Sequence, residues 1–212
     1  MVLLCVYSLN VDSRRSQLCL QRGLFEGVRE RSLTMAFPAS AGRGVTQVID
    51  RCEAAKTSGF LDLSSCTLMY IADAIYLVLK GFEVTKVSLR NNCLKKFPKK
   101  MIGKFPNATI FNMEGNEIEE IPEEFEQWTS MRGINAANNK LTTFPQGIFN
   151  MKDLAILDLS GNQIEEVDVD RLYASCPSLV QLNLSGNPLK TETKTRLTSS
   201  PSKPAKILLK LD

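Results

Sequence analysis

A single pattern of apolar and polar positions recurs along most of the chain. Each copy has two apolar residues separated by one residue, an asparagine or cysteine three positions later, and another apolar residue two positions beyond that. The six copies are Leu61-x-Leu63-x-x-Cys66-x-Leu68, Val87-x-Leu89-x-x-Asn92-x-Leu94, Phe111-x-Met113-x-x-Asn116-x-Ile118, Ile134-x-Ala136-x-x-Asn139-x-Leu141, Leu157-x-Leu159-x-x-Asn162-x-Ile164 and Leu182-x-Leu184-x-x-Asn187-x-Leu189. Successive asparagine or cysteine positions are 26, 24, 23, 23 and 25 residues apart. A repeat of this length predicts a solenoid of stacked coils.

Each copy predicts one short strand followed by a sharp turn. Alternating apolar residues put the two core side chains on one face of the strand and the intervening residue on the other. The turn after the strand buries backbone groups that need hydrogen-bond partners. Because an asparagine amide both donates and accepts, the asparagine column is expected to bridge neighbouring coils, with Cys66 taking this position in the first coil.

These signatures, the helical segment before Phe60 and the ending Pro-Ala-Lys-Ile-Leu-Leu-Lys resemble the small intracellular leucine-rich repeat proteins of animals. The resemblance and the repeat spacing together predict an α/β fold, a leucine-rich repeat solenoid (horseshoe) of about six coils with a parallel concave sheet and an N-terminal cap helix. The resemblance further implies a protein-interaction module without a catalytic domain. It implies no defined partner.

Four segments follow from these patterns. Residues 1–44 are expected to form a disordered or alternative leader, with Met35 as a second possible start, and 45–57 a cap helix with Val45, Val48, Ile49 and Cys52 on its apolar face. Residues 58–189 carry the repeats, and 190–212 form a C-terminal cap and basic tail. The apolar stretch from Lys206 to Leu211 is expected to lie across the last coil.

The composition does not favour an enzyme. The chain contains no histidine, so a serine or cysteine nucleophile activated by histidine is excluded, and neither a Cys-x-x-Cys pair nor a phosphate-binding glycine loop occurs. We therefore expect no cofactor, no metal site and no small-molecule substrate. The six cysteines are scattered rather than clustered at the ends of the repeats, which is typical of reduced thiols and predicts a cytoplasmic protein without a membrane span.

The charges offer a second hypothesis. Residues 187–212 contain six basic and two acidic residues. The alternative hypothesis is that the protein is a nucleic-acid-associated or ribonucleoprotein assembly subunit that uses this basic tail. That surface would need unopposed basic residues interleaved with aromatic residues, and only the tail is net basic over any length. Lysines after the second signature face glutamates after the third, at Lys95-Lys96 with Glu119-Glu120 and Lys99-Lys100 with Glu123-Glu124. We expect these to form ion pairs between coils rather than an anion site.

The outward strand positions are the candidate binding surface for a protein partner. Small polar residues lie between the two core positions of every coil, and three apolar residues share the position just before the first core residue. Contact with water does not favour the exposure of several apolar side chains together, and such clusters often mark partner sites. The candidate residues are Phe60, Asp62, Lys86, Ser88, Arg90, Ile110, Asn112, Glu114, Asn135, Ile156, Asp158, Gln181 and Asn183.

Overall fold

The structure, a computed structural model, describes residues 39–212. In this part of the chain a helix at Ala39–Ser58 precedes a row of three-residue strands. The strands are β1 (Phe60–Asp62), β2 (Lys86–Ser88), β3 (Ile110–Asn112), β4 (Gly133–Asn135), β5 (Ile156–Asp158), β6 (Gln181–Asn183) and β7 (Leu208–Lys210). Between them lie α-helices at Asp73–Val78, Lys100–Lys104, Val169–Ser175 and Thr191–Ser199, and 3-10 helices at Glu123–Gln127 and Gln146–Asn150.

The strands form one open sheet in sequence order, and every neighbouring pair is parallel. The middle residues of the strands are aligned across the sheet, as Leu61 with Val87 and Val87 with Phe111, and they point into the core. The first and third residues of each strand point to the opposite side, which we call the exposed sheet face. The predicted solenoid with its parallel sheet and N-terminal helix is therefore confirmed.

The asparagine column holds each turn to the coil before it. The Asn116 side-chain amide donates to the carbonyl oxygens of Leu89 and Met113 at 2.9 Å each, and its Oδ1 accepts from the N–H of Leu94 at 3.1 Å. All these atoms are buried, so water cannot replace the bonds. Corresponding bonds are made by Asn92, Asn139, Asn162 and Asn187.

The residue before each ladder position has a left-handed backbone. Its φ is 53° at Asn91, 66° at Gly115 and 54° at Asn138. Glycine and asparagine tolerate this conformation best, which explains why they occupy the site in most coils. At Gly115 space is also limiting, because an added Cβ would lie 2.5 Å from Oδ1 of Asn91 in the preceding coil.

Four aromatic side chains pack against one another in the core. Phe97, Phe111, Phe125 and Trp128 are buried together, with the Phe111 and Trp128 ring centroids 4.9 Å apart. The indole Nε1–H of Trp128 donates to the carbonyl of Phe105 at 2.8 Å, so this large side chain is buried without leaving a donor unpaired.

The N-terminal helix covers the first coil, and its Arg51 caps the edge of the sheet. The Arg51 guanidinium donates to the carbonyl oxygens of Asp62 and Ser64 and contacts the sulfur of Cys66 at 3.3 Å. In the next coil the equivalent carbonyls, Ser88 and Arg90, accept from backbone N–H groups of the first coil. Arg51 thus replaces the strand that is missing beside β1.

The helix differs from its prediction in two respects. It begins at Ala39 rather than at residue 45, and the proposed disordered leader otherwise lies outside the described residues. Ile49, predicted on the apolar face, is exposed, while Val48, Cys52 and Ala55 are buried. These three are four and three residues apart, so the buried stripe follows the helical period and Ile49 lies at its edge.

The C-terminal segment adds a strand to the sheet instead of lying across the last coil. Leu208 N–H donates to the carbonyl of Val180 at 2.7 Å, and Leu184 N–H donates to the carbonyl of Lys210 at 2.9 Å. Leu209 is aligned with Leu182 at the core position. The sheet therefore continues beyond the sixth signature without a seventh asparagine.

Loss of one ladder asparagine should destabilise the solenoid. Asn139→Ala leaves the buried N–H of Ile118 without its partner and removes one of two amide donors from each of the carbonyls of Met113 and Ala136, which keep Asn116 and Asn162. We expect this change to lower the free energy of unfolding by about 1 to 3 kcal/mol. Urea denaturation measures this change. Asn150→Ala, at an exposed residue bonded to Glu126, should change the free energy by less than about 0.5 kcal/mol. Equal effects of the two substitutions would contradict the ladder.

Arg51 should contribute to stability as the cap of the sheet edge. Arg51→Met keeps the apolar stem and removes the donors to Asp62 and Ser64, so we expect a loss of about 1 to 3 kcal/mol in the same assay. The identical substitution at the exposed Arg132 is the matched control and should have little effect. A loss no larger than that of the control would mean that water satisfies the edge carbonyls equally well.

Candidate functional site

One column of the exposed sheet face carries large apolar side chains. Phe60, Ile110 and Ile156 are 41%, 44% and 48% exposed and occupy the first position of β1, β3 and β5. Leu208 of β7 is aligned with the same column and is 57% exposed. We call these four residues the apolar column. Leu208 is absent from the surface predicted from the sequence, although Leu209-x-Leu211 repeats the two core positions without the following asparagine.

The apolar residues alternate with residues of other kinds. Lys86, Gly133 and Gln181 occupy this column on β2, β4 and β6. Neighbouring parallel strands are about 4.8 Å apart, so the apolar side chains recur about every 10 Å. Gly133 has no side chain, and a Cβ added there would lie 3.9 Å from Cγ1 of Ile110, so the Ile110 side chain borders this position.

The small polar residues in the third strand position have a structural task. Asn112 Oδ1 accepts from the N–H of Glu114 at 2.9 Å, and Asp158 Oδ1 accepts from the N–H and the hydroxyl of Ser160 at 3.0 and 2.6 Å. Equivalent bonds to the N–H two residues later are made by Asp62, Asn135 and Asn183. Because these bonds shape the end of each strand, the recurrence of Asp and Asn here does not by itself indicate a ligand.

Ser88 is the exception in this column, since it is buried rather than part of the accessible surface. Its short side chain is aligned between the longer Asp62 and Asn112 on the neighbouring strands. The other predicted surface residues lie on the exposed sheet face or directly after its strands.

Charged side chains border the column. Arg90 and Glu114 form an ion pair at 3.2 Å, and the Asn135 amide donates to the same carboxylate at 3.1 Å. Asp62 is partly buried, which works against its charged form, but hydrogen bonds from Ser64 and the charge of Arg51 lower its pKa overall. Charged and polar groups therefore lie beside the apolar column.

Two buried cysteines belong to the core, and their thiols have raised pKa values. Burial raises the pKa of Cys52 to about 11, with a further increase from the nearby Glu53, and burial alone raises the pKa of Cys176 to about 11. Both thiols therefore stay protonated at neutral pH, which is the less reactive form. Among the described cysteines, Cys93 is the exposed one, and it lies off the exposed sheet face.

Comparison with known proteins agrees with this architecture. A family model for the leucine rich repeat matches residues 134–189. Chaoptin of Drosophila melanogaster is 30% identical over 131 residues, which cover 61% of this chain and 10% of chaoptin. Keratocan of Danio rerio is 33% identical over 136 residues, which cover 62% of this chain and 36% of keratocan. The solved structure of an LRR protein from Leptospira interrogans superposes with a TM-score of 0.57 at 24% identity, covering 68% of this chain and 35% of that one.

The protein is a leucine-rich repeat solenoid. Because the match spans only 10% of chaoptin and 36% of keratocan, it concerns the repeats and not the whole of those proteins. Within residues 39–212, no helix of this leucine-rich repeat protein is long and apolar enough to cross a membrane.

The apolar column should be dispensable for folding. Ile110→Ser and Ile156→Ser remove exposed side chains, so we expect each to change the free energy of unfolding by less than about 0.5 kcal/mol. Ile134→Ser, in the strand between them, replaces a buried residue and should cost at least about 2 kcal/mol. Urea denaturation of the three variants distinguishes exposed from buried strand positions. Similar losses of unfolding free energy for all three would show that the exposed and buried positions are wrongly assigned.

Proposed function

We propose that this protein is a non-enzymatic interaction module that binds a protein partner through the exposed sheet face, which is the predicted concave side of the horseshoe. The observation that carries the proposal is the apolar column, in which four large apolar side chains are exposed in alignment on one sheet. Exposed apolar groups cost free energy in water, and a partner that covers them recovers it.

The spacing of the apolar column indicates what kind of partner would fit it. Apolar side chains about 10 Å apart fit a partner that presents two or more apolar anchors, one of which can contact Ile110 beside Gly133. The Arg90–Glu114 pair and the polar third column would then form the hydrated border of the interface.

The absence of enzymatic activity and a cytoplasmic location are further parts of this proposal. They are supported by the lack of histidine in the chain and by the free state of the four described cysteines, Cys52, Cys66, Cys93 and Cys176. The motifs around Phe60 and the Pro-Ala-Lys-Ile-Leu-Leu-Lys ending support a relationship to leucine-rich repeat-containing protein 20 in particular.

The nucleic-acid alternative receives less support. Lys190 pairs with Glu166, Arg196 with Asp170, and Lys194 with Asp212 at 3.5 Å, so half of the six basic residues in the tail have an acidic partner nearby. A phosphate backbone would have to compete with these carboxylates, and the tail offers no aromatic residue for stacking.

Affinity capture with the full chain tests the proposal. Tagged wild-type protein and the Ile110→Ser/Ile156→Ser variant are incubated with cell lysate, with and without nuclease, and bound proteins are quantified by mass spectrometry. We expect the main partner to be retained by wild type after nuclease and reduced at least about tenfold by the double substitution, because truncating central apolar anchors costs binding free energy.

The matched control removes exposed apolar area elsewhere. Ile49→Ser/Leu77→Ser changes two exposed residues outside the sheet and should leave capture of the same partner unchanged. Normal capture by Ile110→Ser/Ile156→Ser would contradict the assignment of this face, and loss of the partner after nuclease treatment would favour the nucleic-acid alternative.

A further inference from the structure

A second surface, distinct from the sheet, combines an apolar floor with a basic rim. A groove of about 780 Å³ lies between the segments that follow Cys66 and Asn92 in the first two coils. Its floor includes the buried residues Ile71, Tyr76 and Phe97. We call it the flank groove. It shares no residue with the apolar column.

The walls of the flank groove are partly apolar and accessible. Met69 and Tyr70 line one side and are both exposed, although a flexible thioether and an aromatic ring are more stable when covered. An apolar side chain of a partner could therefore lie between them on the buried floor without any rearrangement of the core.

Positive charge is concentrated at the rim. Lys95, Lys96, Lys99 and Lys100 line the groove, and Asp73 is the acidic residue among its lining. The predicted compensation by glutamates of the next coil is made in part. Lys99 does pair with Glu124, at 3.3 Å, but Lys100 pairs with Asp73 of the preceding coil at 2.7 Å.

Lys95 and Lys96 remain available. Both are exposed, and within residues 39–212 neither lies within ion-pair distance of a carboxylate, so the expected pairs with Glu119 and Glu120 are not made. Glu117 of the next coil has its pKa lowered mainly by the hydrogen bond from Lys140 and, more weakly, by the charge of Lys95. The two pairs that do form at the rim are solvent-exposed, and such pairs contribute only about 0 to 1 kcal/mol. An incoming carboxylate could displace them at little cost.

We propose that the flank groove binds an acidic segment of a protein partner. An apolar side chain of that segment would lie on the floor formed by Ile71, Tyr76 and Phe97, and flanking aspartates or glutamates would pair with Lys95 and Lys96. Apolar contact would supply affinity, and the lysines would select an acidic sequence and accelerate its association.

The shape of the groove favours a peptide over other acidic ligands. Its apolar floor is recessed and buried, whereas a membrane surface requires apolar residues that protrude. A single-stranded nucleic acid requires several exposed aromatic rings, and Tyr70 is the exposed aromatic residue in this lining. The protein's own residues 1–34 contain five basic and three acidic residues, so their charge has the same sign as the rim.

Selection from a phage-displayed library of random peptides of about twelve residues, using the full chain, tests the proposal. We expect enriched peptides to combine aspartate or glutamate with an aromatic or leucine residue. In fluorescence anisotropy, Lys95→Glu/Lys96→Glu should weaken their binding at least about tenfold, and Lys95→Gln/Lys96→Gln should weaken it less, because removing attraction costs less than adding repulsion. Higher salt should weaken binding to wild type.

Two control variants separate this surface from the rest of the molecule. Lys152→Glu/Lys206→Glu makes the same change in net charge at exposed lysines outside the groove and should bind the peptides like wild type. Ile110→Ser/Ile156→Ser should also bind them normally, so failure of the sheet-face proposal and failure of this one give different results.

A chemical footprint checks the location directly. Cys93 lines the flank groove and is exposed, so in a Cys5→Ser/Cys19→Ser background a selected peptide should slow its reaction with a maleimide at least about threefold at saturation.

Several results would overturn the proposal. These are selection of no acidic peptide, equal binding to the charge-reversal variant and its control, or unprotected Cys93 at saturation. Lysine-dependent binding to phosphatidylserine vesicles or to a single-stranded DNA oligonucleotide, without peptide binding, would assign the groove to a membrane or to nucleic acid instead.

Discussion

The asparagine ladder is the interaction on which the rest of the structure depends. Each turn that follows a strand buries backbone groups, and one side-chain amide joins them to the preceding coil, as Asn116 does with Leu89 and Leu94. Because those partners belong to another coil, no coil can satisfy its turn alone. The strand spacing, the left-handed residue before each asparagine and the continuous core all follow from this linkage.

The first coil shows what happens where the ladder has no earlier coil to join. The asparagine is replaced by Cys66, and Arg51 of the helix reaches the carbonyls that a preceding strand would otherwise pair. At the other end β7 supplies the carbonyl of Lys210 to Leu184 N–H. The two ends thus satisfy the same backbone requirement with different chemistry, a guanidinium in one case and a strand in the other.

The repeated core leaves the surface free to differ from coil to coil. On the exposed sheet face the third position is constrained by its bond to the N–H two residues later, and the first position is not. The unconstrained position carries the apolar column, and the side of the first two coils carries the flank groove. One solenoid can therefore present two surfaces to different ligands, an apolar one on the sheet and a groove with an apolar floor and a basic rim.

The sequence by itself determined the repeat, the parallel strands and the face on which each strand residue lies, because alternation and the turn after each strand are local properties. It placed Ile110 and Ile156 together for this reason. Only the tertiary structure decided that β7 extends the apolar column to Leu208, that Arg51 caps the sheet, and that Lys100 pairs with Asp73 of the preceding coil. These contacts join residues 11 to 27 positions apart in the chain or depend on side-chain conformation across coils, which no local pattern specifies.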